Sequence, residues 1–189
     1  MAKQLTLVSG ISCAGKTSFV GVLTGINNLL TADSYAGLHG LNIKRSYKQL
    51  FDNGKDFVYE SHLLRSGDDE IILQAIEKNF VINTFYIFTD NVLDNILRNS
   101  LNRENHFSVS ELQEQFLSQS ELLKYLKEIS NRIIFFDSSD GFKKSAVYSD
   151  NVFTYENSVN SDWLNSIGND VFGTERVKKK AAIELDFLK

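Results

Sequence analysis

The sequence contains no proline and a single cysteine, Cys13. One cysteine excludes an internal disulfide, and a reducing compartment is the setting that suits such a chain. No apolar run approaches the length needed to span a bilayer. The N-terminal residues lack the apolar stretch of a secretion signal. A cytoplasmic protein without membrane contact is therefore expected. Positive charge is not in excess either: 20 Lys and Arg stand against 24 Asp and Glu, a formal net charge of -4. General nucleic-acid binders are usually basic, so bulk nucleic-acid binding is not expected. The missing prolines carry no functional reading.

What remains is the composition of a globular protein. The 189 residues are 42% hydrophobic and 23% charged, enough for one domain with a proper core. No internal repeat, low-complexity tract or linker divides the chain. Residues 1–189 are expected to form a single domain, with a core over 1–140 and a C-terminal extension over 141–189.

Residues 10–17 read GISCAGKT, the G-x-x-x-x-G-K-T pattern of a phosphate-binding P-loop. Four fixed positions coincide by chance in roughly one chain of this size in a hundred or fewer. The context narrows this further. Lys3–Ser9 is a β-prone run with Leu5, Leu7 and Val8 apolar, and Phe19, Val20 and Leu23 follow at helical spacing. Strand, glycine-rich turn and helix is the arrangement the motif requires. Gly10 and Gly15 allow backbone angles that other residues avoid, so the chain can wrap a phosphate closely. Gly10, Ile11, Ser12, Cys13, Ala14 and Gly15, with Lys16, Thr17 and Ser18 in the first helical turn, form the expected nucleotide cradle. Lys16 is expected to reach the β- and γ-phosphates, and the Thr17 hydroxyl to sit on Mg²⁺. ATP or GTP with Mg²⁺ is the implied cofactor pair. At Cys13 the helix N-terminus could lower the thiol pKa, and alkylation there would block nucleotide binding.

Strands are predicted at residues 3–9, 27–32, 56–60, 80–88 and 131–137. Helices are predicted at 15–25, 41–51, from Asp68 onward, at 90–103, and from a Ser108–Glu111 capping box to about Ser130. In the helix at 90–103, Val92, Leu93, Ile96, Leu97 and Leu101 form the apolar stripe. The near-continuous apolar run FVINTFYIF suits a central parallel strand covered on both faces. Alternating strands and helices predict an α/β fold of the P-loop NTPase kind, three layers around a mostly parallel five-stranded sheet. A hairpin (Ala146–Tyr148, Val152–Tyr155) and a helix over 161–172, anchored by Trp163, Leu164 and Ile167, follow. The last residues read as a further helix or a tail.

Ligands of such sheets bind at the C-terminal edge of the strands. That edge is expected to carry the loop, Asp33, Glu60, the region after Phe88, and Asp137-Ser138-Ser139. Asp33 lies one helix and one strand beyond the loop. A carboxylate there could take the proton of a substrate hydroxyl during phosphoryl transfer, or it could cap a turn. Glu60 could bind a substrate hydroxyl or hold a Mg²⁺-bound water, or be a solvated strand end. His62 could contact substrate or lie on the surface. Arg98 and Arg103 could neutralise charge between donor and acceptor, or simply solvate a helix. Lys143-Lys144 and Lys178-Lys179-Lys180 read as solvated faces.

On these residues the chain resembles the P-loop kinases of the zeta-toxin type, close to the polynucleotide kinases. The likeness covers roughly residues 1–140. It rests on GISCAGKT, Asp33 ending strand two, Glu60 ending strand three, the arginine-bearing helix after FVINTFYIF, and IIFFDSSDG. Ser138 stands where zeta-type proteins carry asparagine. The resemblance implies transfer of the γ-phosphate of ATP or GTP to the hydroxyl of a small molecule, typically a nucleotide-activated amino sugar. It implies Lys16 and Thr17 for nucleotide and metal, Asp33 as base, Glu60 in acceptor binding, and Arg98 or Arg103 at the phosphates. A toxin of this type would also have a protein antitoxin as partner. Relatives often carry an arginine three residues after the aspartate; here that position is Ala36, with Lys44 and Arg45 as nearby cations. Two alternatives stand beside this reading. One is a nucleoside, nucleotide or polynucleotide 5′-hydroxyl kinase. The other is a non-catalytic nucleotide-binding switch or interaction protein.

Overall fold

The computed structural model describes residues 2–23, 28–31, 47–63, 68–101, 107–139, 141–156, 161–173 and 177–178. Period-two alternation in the first strand sets both faces of the sheet. In β1 (Gln4–Ser9), Leu5 and Leu7 join one apolar cluster and Val8 joins the other. β3 (Phe57–Glu60) repeats this with Phe57 and Tyr59 against Val58. β4 (Val81–Phe88) does so with Ile82, Tyr86 and Phe88 against Phe85 and Ile87. Both faces are apolar because both are covered, as a parallel sheet requires.

β1 pairs in parallel with β3 on one side and β4 on the other. β2 (Leu29–Thr31) pairs in parallel with β3, and β5 (Arg132–Asp137) with β4. The five strands therefore run β2-β3-β1-β4-β5, all parallel where a mostly parallel sheet was expected. The larger cluster is covered by α2 (the helical residues 47–52), α3 (Asp68–Glu77), α6 (Gln119–Ile129) and α7 (Asp162–Phe172). The opposite face carries α1 (Lys16–Val22) through Phe19 and Val20, with Phe116 of α5 (Val109–Leu117) packed beside them. Each fully buried Leu, Ile or Phe contributes about 1.5–3 kcal/mol through loss of water contact.

Four expectations need correction. The hairpin is not an appendage. β6 (Lys143–Ser149) pairs antiparallel with β5, β7 (Val152–Tyr155) with β6, and β8 (Val177–Lys178) parallel with β7. The sheet thus has eight strands rather than five. Asp150 and Asn151, at φ 53° and 61°, make the two-residue turn that matches strand twist. The helix expected from Ser108 to Ser130 is two helices. Its capping box forms, with Glu111 N–H on Ser108 Oγ and Ser108 N–H on Glu111 Oε2. The break falls at Ser118, whose hydroxyl donates to the Gln115 carbonyl at 3.1 Å and competes with the helical pattern. The last segment reads as a helix or tail, but Val177 and Lys178 are strand; its other residues lie outside the described set.

The fourth correction concerns α4 (Val92–Leu101). Its leucines were expected to face the core. Instead Leu93, Leu97 and Leu101 are 64%, 63% and 81% exposed, while Asn95 and Asn99 are buried. The helix has turned its polar side inward. Arg98 and Asn99 find partners at and around the loop, whereas the buried Asn95 amide has none among the described residues.

The C-terminal helix was legible. Ser161 caps α7 by accepting the Leu164 N–H at 3.0 Å, and Leu164 and Ile167 are buried. Trp163 stacks on Phe88 at 4.7 Å between ring centres. Gly168 is in the middle of α7 because the Tyr155 hydroxyl would stand 2.0 Å from any Cβ there.

Candidate functional site: the phosphate-binding loop and its surroundings

The parallel register aligns the strand ends at one edge. Val8 lies opposite Glu60, and Phe88 opposite Asp137. The chain leaves β1 at Gly10 with φ 141°. A Cβ at Gly10 would stand 2.1 Å from the Ile87 carbonyl oxygen, so only glycine lets the loop turn this close to β4. Ile11, Ser12 and Ala14 are buried, whereas Thr17 and Ser18 are exposed. Gly15 caps α1 at φ 92°, and its ideal Cβ position is 3.3 Å from the Phe142 ring and 3.4 Å from Arg98 Nη1. Lys16 Nζ donates to the Ile11 carbonyl at 2.9 Å, folding the side chain across its own loop.

Thr17 Oγ1 donates to Glu60 Oε1 at 2.6 Å. Glu60 is only 4% exposed, so it is not a solvated strand end. Its other carboxylate oxygen, Oε2, is buried without a hydrogen-bond partner. An unmatched buried carboxylate oxygen is costly unless a cation or water meets it. A hydroxyl beside a carboxylate is the oxygen donor set a hard divalent cation takes. The residues present therefore fit Mg²⁺ at Thr17 and Glu60. His62, two residues on, is buried rather than at the surface.

Arg98 reaches the loop from α4. Nη1 donates to the Ala14 carbonyl at 3.2 Å and to Ser138 Oγ at 2.8 Å, and Nη2 donates to the Ser138 carbonyl at 2.8 Å. None of these acceptors is a carboxylate, so they leave the guanidinium charge beside the loop. Ser138 is itself tied to β4, its hydroxyl donating to the Phe88 carbonyl at 3.0 Å. Asn99, one residue further, donates to the Phe107 carbonyl at 2.7 Å and accepts the Phe107 N–H at 3.0 Å. Its Oδ1 also faces Cys13 Sγ at 3.7 Å.

The Cys13 thiol departs from expectation. Burial pushes its pKa up, and that effect outweighs the opposing pull of Lys16 and Arg98. The thiol stays protonated rather than activated. Asp33 and Arg103 lie outside the described residues, as do Ala36, Lys44 and Arg45. The register places Thr31, the end of β2, opposite Glu60.

Of the expected site residues, the structure brings together the loop, Thr17, Glu60 and Arg98. Sequence reasoning missed Asn99 and Gln115 of α5, whose Oε1 accepts the Ser12 N–H at 2.9 Å. No local signal could have found them: they lie 86 and 103 residues from their loop partners. Phe142 was also missed, and it packs on Phe19 at 5.4 Å.

A parallel α/β sheet with this loop after β1 defines a P-loop fold. Solved structures share this particular fold. A chain of the crystal structure of the AvrRxo1-ORF1:-ORF2 complex with ATP aligns over 95% of this chain, at 12% identity and a TM-score of 0.60. The alignment covers 66% of that chain, so the present sequence spans just under two thirds of its length. A chain of the PezAT chromosomal toxin-antitoxin system of Streptococcus pneumoniae aligns over 93% of this chain and 81% of its own, at 16% identity and a TM-score of 0.57. No protein-family model matches the chain, and no curated protein matches its sequence. Among the described residues, no helix is long and apolar enough to cross a membrane.

Proposed function

We propose that the chain is an ATP-dependent, Mg²⁺-dependent phosphotransferase acting on the hydroxyl of a small molecule. The observation that carries this reading is the Thr17–Glu60 pair, a hydroxyl and a buried carboxylate 2.6 Å apart at the first turn of the loop helix. Such a pair suits a Mg²⁺ site beside phosphates. When bound, ATP supplies the γ-phosphoryl group and Mg²⁺ offsets charge on the phosphates.

The chain's own residues divide the remaining work. The loop amides other than those of Ser12 and Ala14, which already have acceptors, would hold the phosphates, and Lys16, now on the Ile11 carbonyl, would turn to them. Thr17 and Glu60 would hold the cation. Arg98 offsets the charge that develops between donor and acceptor oxygens. Asp33 takes the proton of the acceptor hydroxyl, Arg103 assists at the phosphates, and His62 lies near the acceptor. Catalysis is then mostly positioning and charge neutralisation. The motif resemblance implies a nucleotide-activated sugar as acceptor, and the fold likeness to a chain of a toxin-antitoxin system supports a protein partner of the antitoxin kind. GTP is the alternative donor.

The test is transfer of labelled γ-phosphate to a panel of activated amino sugars, nucleosides, nucleotides and oligonucleotides, with Asp33→Asn as control. Label on a sugar, lost in the control, is the expected result. Label on nucleosides or oligonucleotides would replace the acceptor class. Tight ATP binding with no acceptor labelled would replace the enzyme by a nucleotide-binding switch.

A further inference from the structure

Three successive residues at the apex of the loop are each engaged by a side chain of the α4–α5 pair. Gln115 Oε1 accepts the Ser12 N–H at 2.9 Å, Cys13 Sγ faces Asn99 Oδ1 at 3.7 Å, and Arg98 Nη1 donates to the Ala14 carbonyl at 3.2 Å. The middle residue is the strained one. Cys13 holds φ 62°, a conformation that costs a residue bearing a Cβ roughly 1–2 kcal/mol. Such strain persists only where the surroundings over-determine it. Here one hydrogen bond holds the Ile11–Ser12 peptide and another the Ala14–Gly15 peptide, so the two peptide units that flank Cys13 are bracketed by fixed neighbours.

We infer that Gln115 is a positioning residue, which holds the phosphate-binding loop in its nucleotide-ready shape from α5. The assignment rests on the nucleotide reading of the loop. Arg98 and Asn99 have other duties, at Ser138 and Phe107. The Gln115 amide is the fixed point. Its neighbour Phe116 packs into the cluster that also contains Ile11, Ala14 and Phe19, so the backbone beneath the amide is anchored to the loop's own core. Ser12 is buried, and without Gln115 its N–H would lose the acceptor shown here, a cost of one hydrogen bond. The residue type also fits the ligand. A neutral amide supplies an acceptor without adding negative charge where phosphates would lie, which a carboxylate would do. Gln115 thus couples the α4–α5 pair to nucleotide affinity.

The experiment uses the full chain with two variants. Gln115→Met keeps the volume and removes the acceptor; Gln115→Glu keeps an acceptor oxygen and adds a charge. One arm measures the rate of Cys13 alkylation by iodoacetamide without nucleotide. The other measures Mg²⁺–ATP binding by calorimetry. Gln115→Met is expected to speed alkylation severalfold and to weaken ATP about fivefold to tenfold, the loss of one hydrogen bond to a loop that must then be ordered. Gln115→Glu should alkylate no faster than wild type, because the added negative charge disfavours the thiolate, yet bind ATP more weakly. A merely structural role would not separate the two variants in this way. Wild-type alkylation in Gln115→Met, or ATP bound by that variant as tightly as by wild type, overturns the assignment. If the wild-type protein itself binds no ATP, the nucleotide reading fails, and the alkylation arm still decides whether Gln115 holds the loop.

Discussion

Within one continuous sheet, the strand ends of β1, β3, β4 and β5 gather polar and strained groups, while β6, β7 and α7 gather rings. At the first edge lie Gly10 and Cys13 with positive φ, the buried Glu60 carboxylate and the Arg98 guanidinium. On the other side Phe153 stacks on Phe172 at 4.9 Å, Tyr148 meets Phe172 at 4.7 Å, and Phe135 meets Phe153 at 5.4 Å. Lys127 caps this cluster by donating to the Val171 carbonyl at 3.1 Å near the end of α7. The first region holds unfavourable local choices in place. The second contributes apolar burial and ring contacts of the kind that offset them. A chain seldom keeps a buried carboxylate oxygen unmatched unless it serves a site.

The contrast can be broken from either side. The largest effect is expected at the loop. Lys16→Ala should lower phosphoryl transfer about a thousandfold, roughly 4 kcal/mol in the barrier, with the thermal midpoint unchanged. Full turnover in that variant, measured with labelled γ-phosphate, would remove the loop from the chemistry. Next comes the ring cluster. Phe172→Ala should cost about 3–5 kcal/mol in denaturant unfolding, because the large side chain leaves a cavity. Under conditions where it stays folded, it should bind ATP as wild type does. Weakened ATP binding there would show that the two regions are coupled.

Glu60→Gln sharpens the assignment at the loop. Removing one charge beside Thr17 should weaken Mg²⁺ dependence about tenfold to a hundredfold, read as the Mg²⁺ concentration for half-maximal rate. An unchanged midpoint would return Glu60 to the acceptor side. The smallest effect belongs to neither region. Ser108→Ala removes the cap of α5 and should cost about 1 kcal/mol of stability by chemical denaturation. If ATP affinity falls as well, α5 transmits its position to the loop, as the Gln115 contact requires.

Much of this molecule was legible in advance because its signals are local. FVINTFYIF became a central strand because both its faces are apolar. Ser108 and Glu111 formed their box because the two residues share one helical turn. Asp150-Asn151 turned because both residues tolerate positive φ. The failures share a cause as well. The apolar stripe on α4 obeys the period of a buried helix face, yet Leu97 and Leu101 are exposed. Periodicity assumes that the apolar side wins the core. Here Arg98 and Asn99 compete successfully, through hydrogen bonds to Ala14, Ser138 and Phe107 that no helical window contains. The eight-stranded sheet was missed because β5, the last of the parallel strands, does not announce in its residues whether the next hairpin will pair with it.

By itself the sequence determined the loop, its strand and its helix, since glycine placement and residue period act over a few residues. It also determined the parallel α/β order, because alternating periods of two and 3.6 leave few topologies. Only the tertiary structure decided what surrounds the loop. Glu60 meets Thr17 across 43 residues, Arg98 meets Ala14 across 84, and Gln115 meets Ser12 across 103. Contacts of that span depend on strand register and helix docking, and these are set by the burial of both cores together rather than by any stretch of chain alone.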